Sequence, residues 1–156
     1  MLTLQLDPDI AVSETVEQFA QLQAADQLVV LWRIYKAMGE AIRTAAPAVM
    51  FSQIVQSLFA QLLQLQRHDQ VAALLDIASG EETRISVAYK NLSAPLKLVF
   101  WYRLAQAHQR GHFPAAPRQE TLSLPAEQLL EKIILLGFNQ KVTFLLAAAA
   151  DLGSTW

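Results

Sequence analysis

The sequence predicts a single all-α domain that covers residues 1–156. Apolar residues recur at every third or fourth position along most of the chain, no segment alternates convincingly like a β-strand, and glycine and proline separate the periodic segments. The length suits one domain with a continuous core. Apolar residues make up 53% of the chain and charged residues 17%, so a large core, a partner surface or an apolar ligand must cover the apolar excess.

Composition limits the classes of function. A net charge of −2 gives no electrostatic basis for nucleic-acid binding, and the lack of cysteine excludes disulfides, thiolate catalysis and cysteine metal sites. The longest apolar run, residues 142–150, is too short to span a bilayer and lies between Lys141 and Asp151. Asp7 and Asp9 stand where a secretory signal would be apolar, so we expect a cytoplasmic protein.

Helix signals divide the first half of the chain. Ser13 is a candidate N-cap of the first helix, Pro47 ends the segment that holds the second, and Gly80 ends the fourth after a cap at His68 or Asp69. The second helix is apolar on nearly every face of its first half, so we expect it to be central. The first helix is predicted at 14–23, the second at 26–44 and the third at 49–66, and a short helical turn is predicted at 84–90.

The second half begins with another central helix. Ser93 and Pro95 start it, and it ends at Gly111. Three prolines make residues 112–125 a linker between two helical halves. Two helices follow, at 125–136 and at 140–152, with Gly137 ending the first and Asn139 capping the second.

The chain offers little that could catalyse a reaction. His108 and His112 are four residues apart, but Gly111 is expected to break the helix between them and no third metal ligand is close. Glu81 and Glu82 follow a glycine in a turn and are expected to be solvated. No phosphate-binding glycine loop or nucleophile elbow is present. We therefore expect a protein that is not an enzyme.

Aromatic residues are concentrated on the two most apolar helices. Trp32 and Tyr35 share a face of one helix, and Trp101 and Tyr102 lie on the other. Core packing explains these rings if their polar groups find partners. The alternative is that they form opposing walls of a tunnel for a flat or conjugated apolar ligand. Spacing does not decide between the two.

Three blocks of sequence resemble the N-terminal domain of the cyanobacterial orange carotenoid protein, and the similarity runs over residues 14–153. The first block is Asp26-Gln27-Leu28, Leu31-Trp32, Tyr35, Met38-Gly39 and Ala45-Ala46-Pro47. The second is Lys97-Leu98, Phe100-Trp101-Tyr102, Leu104 and Gly111, and the third is Val142-Thr143 with Asp151-Leu152-Gly153. Because the blocks keep their order and spacing, the chain is similar to a stand-alone helical carotenoid protein without the family's C-terminal sensor domain.

The resemblance implies two interleaved four-helix bundles that enclose an apolar tunnel. A ketocarotenoid such as canthaxanthin or echinenone would lie in that tunnel. Carried over position by position, the implied contacts are Leu28, Leu31, Trp32, Tyr35, Met38, Leu74, Leu98, Trp101, Tyr102, Ala105, Ala116, Val142, Thr143 and Ala149.

Four positions depart from the family pattern. Leu74 stands where methionine is common, and Ala105 stands where glycine is common and adds a methyl group to the wall. Leu146 and Ala147 occupy the positions of an arginine and an asparagine that serve domain closure and phycobilisome docking in the two-domain protein. Leucine cannot replace the bidentate contacts of a guanidinium, so docking by the family's route is not expected.

The resemblance therefore favours photoprotection by physical quenching of singlet oxygen through the bound carotenoid. One alternative is an energy quencher of light harvesting that docks on the phycobilisome, and another is a carotenoid carrier that works with a separate C-terminal-domain-like partner. A pigment-free helical scaffold is a third. A monomer or weak dimer is expected, and a place near the thylakoid membranes is left open.

Overall fold

A computed structural model describes residues 8–111 and 122–153, and its side chains are described from residue 10 onward. Within these ranges the secondary structure is helical, without a strand. Two 3₁₀ segments, Gly39–Thr44 and Pro47–Val49, lie between the second and third α-helices. The α-helices of the described residues are α1 Pro8–Ala20, α2 Ala24–Met38, α3 Gln53–Leu63, α4 Arg67–Ser79, α5 Arg84–Lys90, α6 Ala94–Gln109, α7 Leu124–Ile134 and α8 Phe138–Asp151.

The helices form two bundles of four. Helices α1, α2, α7 and α8 come from the two ends of the chain, and α1 packs on α7 and α8 while α2 packs on α7. Helices α3 to α6 come from the middle, where α3 packs on α4, α5 and α6. Contacts of α2 with α4 and α6, and of α6 with α8, join the bundles. The predicted all-α class with two interleaved bundles is confirmed.

Helices α2 and α6 are central, as the sequence predicts. Eight residues of α2 and nine of α6 are buried. Even the buried polar side chain of Gln27 has a partner, because its Nε2 donates a hydrogen bond to the carbonyl oxygen of Phe19 at 2.9 Å. The nearly continuous apolar pattern in the sequence therefore marks the two helices that bury about half or more of their residues.

Several predicted boundaries in the first half are wrong. Helix α1 begins at Pro8, whose fixed φ suits a first helical turn, so Ser13 lies inside the helix and does not cap it. Helix α2 ends at Met38 because Gly39 has a φ of +56°, and 3₁₀ structure follows to Thr44. The third helix begins four residues later than predicted. Its cap is Ser52, whose Oγ accepts a hydrogen bond from the backbone N–H of Val55 at 3.4 Å.

Later boundaries are closer to the prediction. Helix α4 begins at Arg67, so His68 and Asp69 lie in its first turn. It ends at Ser79, and Gly80 caps it in the predicted left-handed conformation with a φ of +75°. Helix α5 has the predicted bounds. Helix α8 begins at Phe138, before the predicted cap Asn139. Residues 112–121 of the predicted linker lie outside the described residues.

Gly153 anchors the end of α8 to the end of α4. Its φ is +79°, and a Cβ atom built on it would overlap the carbonyl oxygen of Ile77 and lie 3.3 Å from the backbone of Gly80. The two backbones can approach this closely only because position 153 has no side chain.

We predict that Gly153→Ala lowers the free energy of unfolding by clearly more than the about 1–2 kcal/mol that a left-handed conformation costs an L-residue. Gly111→Ala is the matched control, because Gly111 has a φ of +77° and, its chain neighbours apart, no described residue lies within 4 Å of a Cβ atom built on it. Urea unfolding of the two variants checks this. Equal destabilisation would show that the contact with α4 is not tight.

Candidate ligand-binding site

Trp101, on α6, lies in a buried cluster of three aromatic rings. Its ring centroid is 5.9 Å from that of Tyr89 and 5.2 Å from that of Phe100, both in edge-on geometry. Trp101 Nε1 donates a hydrogen bond to the Tyr89 hydroxyl at 2.8 Å. That hydroxyl donates in turn to the carbonyl oxygen of Ala149 on α8 at 2.6 Å. One hydroxyl therefore links α5, α6 and α8.

Lys97 makes a second link between α6 and α8. Its Nζ donates a hydrogen bond to the carbonyl oxygen of Ala150 at 3.2 Å and lies 5.2 Å from the centroid of the Tyr89 ring. The carbonyls of Ala149 and Ala150 belong to the last turn of α8, where carbonyl groups lack helical partners and attract a cation. Burial lowers the pKa of Lys97, an effect that Asp151 partly offsets.

Tyr35 links the two central helices. Its hydroxyl, on α2, donates a hydrogen bond to the carbonyl oxygen of Leu98, on α6, at 3.0 Å. Burial raises the pKa of Tyr35 well above its ordinary value, and burial likewise raises the pKa of Tyr89. Both phenols therefore remain neutral hydrogen-bond donors at physiological pH.

Trp32 packs against His108, one of the two histidines that are not expected from the sequence to bind a metal. The Trp32 and His108 ring centroids are 5.5 Å apart in edge-on geometry, which joins α2 to α6 at a further point. His112 lies outside the described residues. In the described part of the chain, no three His, Cys, Asp or Glu side chains are grouped as metal ligands would be.

A cleft with a volume of 110 Å³ lies where the end of α2 meets α6. Tyr35, Tyr102 and Ala105 line it, and the 3₁₀ segment after α2 borders it. The Tyr102 side chain is 3% exposed, and its hydroxyl has no hydrogen-bond partner among residues 8–111 and 122–153. The remaining lining residues are Gly39, Glu40, Gln106, Gln109 and Arg110.

The structure distributes the other predicted site residues over three environments. Met38 is partly buried against the core, and Val142 is partly buried on α8. Thr143 is exposed and lies in a separate groove between α1 and α8. Ala116 lies outside the described residues. The members that are buried in the core around α2 and α6 are Leu28, Leu31, Trp32, Leu74, Leu98, Trp101 and Ala149.

Sequence reasoning missed Tyr89 and the polar rim of the cleft. Tyr89 lies in a helix of seven residues, which is too short for apolar periodicity to show which face is buried. Glu40 borders the cleft only because Gly39 turns the chain there, and the prediction carried the helix through Gly39. No signal in the sequence marked either feature.

The cleft combines one aromatic wall, formed by Tyr35 and Tyr102, with a polar rim, and it is small. Ligand pockets have volumes of about 300–1,000 Å³, so the 110 Å³ cleft must be enlarged to hold a drug-sized molecule or a longer one. Trp101, for example, is buried and packed against Phe100. To extend the cleft, side chains between α2 and α6 must therefore move. The predicted tunnel therefore stays a prediction.

Known proteins match this chain over nearly its whole length. The family model for the N-terminal part of orange carotenoid protein matches residues 6–155. The orange carotenoid-binding domain-containing protein of Nostoc sp. (strain PCC 7120 / SAG 25.82 / UTEX 2576) is 34% identical over 143 residues, which cover 92% of this chain and 84% of the relative. The orange carotenoid-binding protein of Synechocystis sp. (strain ATCC 27184 / PCC 6803 / Kazusa) is 32% identical over 144 residues, but the match covers 45% of that protein.

Solved structures give the same result. The red carotenoid protein of Anabaena (Nostoc) sp. PCC 7120 binding canthaxanthin has a TM-score of 0.76 and 28% identity, and the match covers 91% of this chain and 97% of that one. The orange carotenoid protein of the same organism binding canthaxanthin has a TM-score of 0.82 and 30% identity, with 96% of this chain and 48% of that one covered. The family resemblance predicted from the sequence is confirmed.

We predict that Tyr89→Phe lowers the free energy of unfolding by about 1–3 kcal/mol, because it leaves buried polar groups of Trp101 and Ala149 without a partner. Tyr102→Phe is the matched control, since it removes a buried hydroxyl that bonds to no described residue. Urea unfolding of pigment-free protein measures both. If the two variants were equally stable, the Tyr89 bridge would not contribute to stability.

Proposed function

The chain belongs to the orange carotenoid protein N-terminal domain family, and on this premise we propose that it binds a ketocarotenoid and uses it to quench singlet oxygen. Canthaxanthin and echinenone are the proposed pigments. The observation that carries the proposal is the cleft of Tyr35, Tyr102 and Ala105, which opens beside the two aromatic-rich helices in a chain of a carotenoid-binding family.

The proposed site extends from the cleft between α2 and α6. Flat rings of Trp32, Tyr35, Trp101 and Tyr102 would contact the terminal ring and the polyene, and aliphatic side chains would fill the rest of the wall. The proposed contacts remain those implied by the family resemblance: Leu28, Leu31, Trp32, Tyr35, Met38, Leu74, Leu98, Trp101, Tyr102, Ala105, Ala116, Val142, Thr143 and Ala149.

Burial of apolar surface supplies the binding energy in this proposal. A long polyene that loses several hundred square ångströms of exposed surface gains on the order of 10 kcal/mol before the costs of binding. Part of that energy would be spent on separating side chains of α2 and α6 that are packed together. Met38 is suited to such movement, because it is partly buried and has a flexible unbranched side chain.

The protein contributes binding and water exclusion and performs no bond chemistry in this proposal. When bound, a carotenoid supplies a low-lying triplet state that accepts excitation and releases it as heat. The buried phenols of Tyr35 and Tyr89 have raised pKa values and stay protonated, so neither acts as a base at physiological pH. The proposal therefore needs no catalytic residue, and we propose that the chain is not an enzyme.

Docking on the phycobilisome is a weaker alternative. Leu146 is partly buried against the core, and Ala147 lines the groove between α1 and α8, so neither position offers a charged group to a partner. Fluorescence of isolated phycobilisomes after addition of pigmented protein separates the alternatives, because docking predicts loss of emission. A carrier role predicts instead that the pigment moves to an added C-terminal-domain-like partner.

We propose that residues 1–156 form one domain and that the protein acts in the cytoplasm as a monomer or weak dimer. None of the helices in the described ranges is both long enough and apolar enough to cross a bilayer. A place near the thylakoid membranes remains part of the proposal.

We predict that Trp32→Ala lowers the ratio of pigment to folded protein by about tenfold, or about 1.4 kcal/mol of binding free energy. The protein is produced in cells that make canthaxanthin and its visible absorption is compared with its protein absorption. Phe19→Ala is the matched control, because Phe19 is buried against Phe144 outside the proposed site. It should lower folded yield and leave the ratio unchanged. A colourless wild-type protein would contradict carotenoid binding.

We predict that pigmented protein shortens the lifetime of singlet oxygen more than pigment-free protein at the same concentration. Near-infrared luminescence of singlet oxygen measures the lifetime. Because the proposed quenching is physical, the visible spectrum of the pigment should survive repeated exposure. Equal lifetimes for the two proteins, or bleaching in step with quenching, would count against the mechanism.

A further inference from the structure

We propose that the hydroxyl of Tyr102 donates a hydrogen bond to an oxygen atom on the terminal ring of the ligand, and that this bond selects oxygenated carotenoids over carotenoid hydrocarbons. The inference rests on the proposed function and adds the basis of its ligand selectivity.

The three tyrosines of the chain differ in what their hydroxyls bond to. All three side chains are buried. The hydroxyl of Tyr35 donates to the carbonyl oxygen of Leu98, and that of Tyr89 donates to the carbonyl oxygen of Ala149. The hydroxyl of Tyr102 is the exception, since no described residue accepts from it or donates to it. A buried hydroxyl without a partner is unfavourable and calls for an acceptor.

The position of Tyr102 points to a ligand as the source of that acceptor. Tyr102 and Tyr35 line the 110 Å³ cleft, whose exposed rim carries Glu40, Gln109 and Arg110. A terminal ring that bears oxygen would place its hydrocarbon part against the aromatic wall and its oxygen beside the buried donor. Tyr35 cannot serve in the same way without giving up its bond to Leu98.

The electrostatics of the site favour a neutral donor. Burial raises the pKa of Tyr102 above its ordinary value, and Arg43 partly offsets this. The phenol therefore keeps its proton at physiological pH and can donate to a ketone or hydroxyl oxygen. A hydrocarbon ring in the same place would leave the buried hydroxyl without a partner, and such an unpaired buried group costs more than one ordinary hydrogen bond contributes.

A competition experiment tests the selectivity. Pigment-free wild-type protein and its Tyr102→Phe variant are each loaded from an equimolar mixture of canthaxanthin and β-carotene, and the bound pigments are extracted and counted. We expect wild type to favour canthaxanthin and the variant to lose about tenfold of that preference. The variant keeps the ring and the apolar wall, so total pigment should fall less than the ratio.

Tyr35→Phe is the matched control, because it removes a hydroxyl from the same cleft that already has an internal acceptor. It should lower the stability of the pigment-free protein and shift the pigment ratio less than Tyr102→Phe does. Vibrational spectra give a second measure. A hydrogen bond weakens a ketone C=O bond, so the stretching frequency of bound canthaxanthin should rise in Tyr102→Phe and stay the same in Tyr35→Phe.

Two results would overturn the inference while leaving the proposed function intact. One is pigmented Tyr102→Phe protein with the wild-type ratio and C=O frequency. The other is strong destabilisation of pigment-free Tyr102→Phe, which would show that the hydroxyl bonds within the chain. If no variant and no wild-type protein took up either pigment, the proposed function would fail and the selectivity with it.

Discussion

The rest of the structure depends on how the last turn of α8 satisfies its carbonyl groups inside an apolar core. Tyr89 and Lys97 donate to the carbonyls of Ala149 and Ala150, and Gly153, just beyond the end of α8, is in close contact with the end of α4. These bonds cross from the middle bundle to the terminal one. Because α8 is alanine-rich at this end, its backbone lies near enough to α5 and α6 for side chains to reach it. The same hydrogen bonds therefore cap the end of α8 and hold the two bundles together.

The sequence predicts the helices well where apolar periodicity is long and predicts their ends poorly. Full apolarity marked α2 and α6 as central, and Gly80 marked the end of α4. The break at Gly39 was missed because apolar residues continue past it, and a glycine within such a pattern can stay helical. Ser52 was missed as a cap because Met50 and Phe51 seemed to extend the periodic run, although Phe51 is exposed in the structure.

The site was harder to predict than the fold. Spacing alone left Trp32, Tyr35, Trp101 and Tyr102 divided between core packing and a tunnel wall, and family resemblance was needed to choose. In the structure the rings have different surroundings. Trp101 packs in the core through Tyr89, whereas Tyr102 borders a cleft. Which neighbour satisfies a polar atom depends on contacts far apart in the chain, such as Tyr35 with Leu98, and local spacing carries no information about them.

The contrast between Trp101 and Tyr102 indicates where the protein can open for a ligand at least cost. Successive residues on a helix point about 100° apart, so these neighbours face different surroundings. Moving Trp101 breaks its bond to Tyr89 and disturbs the capped end of α8. Moving Tyr102 breaks no bond to a described residue, and the space beside it is already open. A ligand that enlarges the cleft from the Tyr102 side therefore leaves the bonds of Tyr89 to Trp101 and Ala149 in place, and its apolar burial need not compensate for their loss.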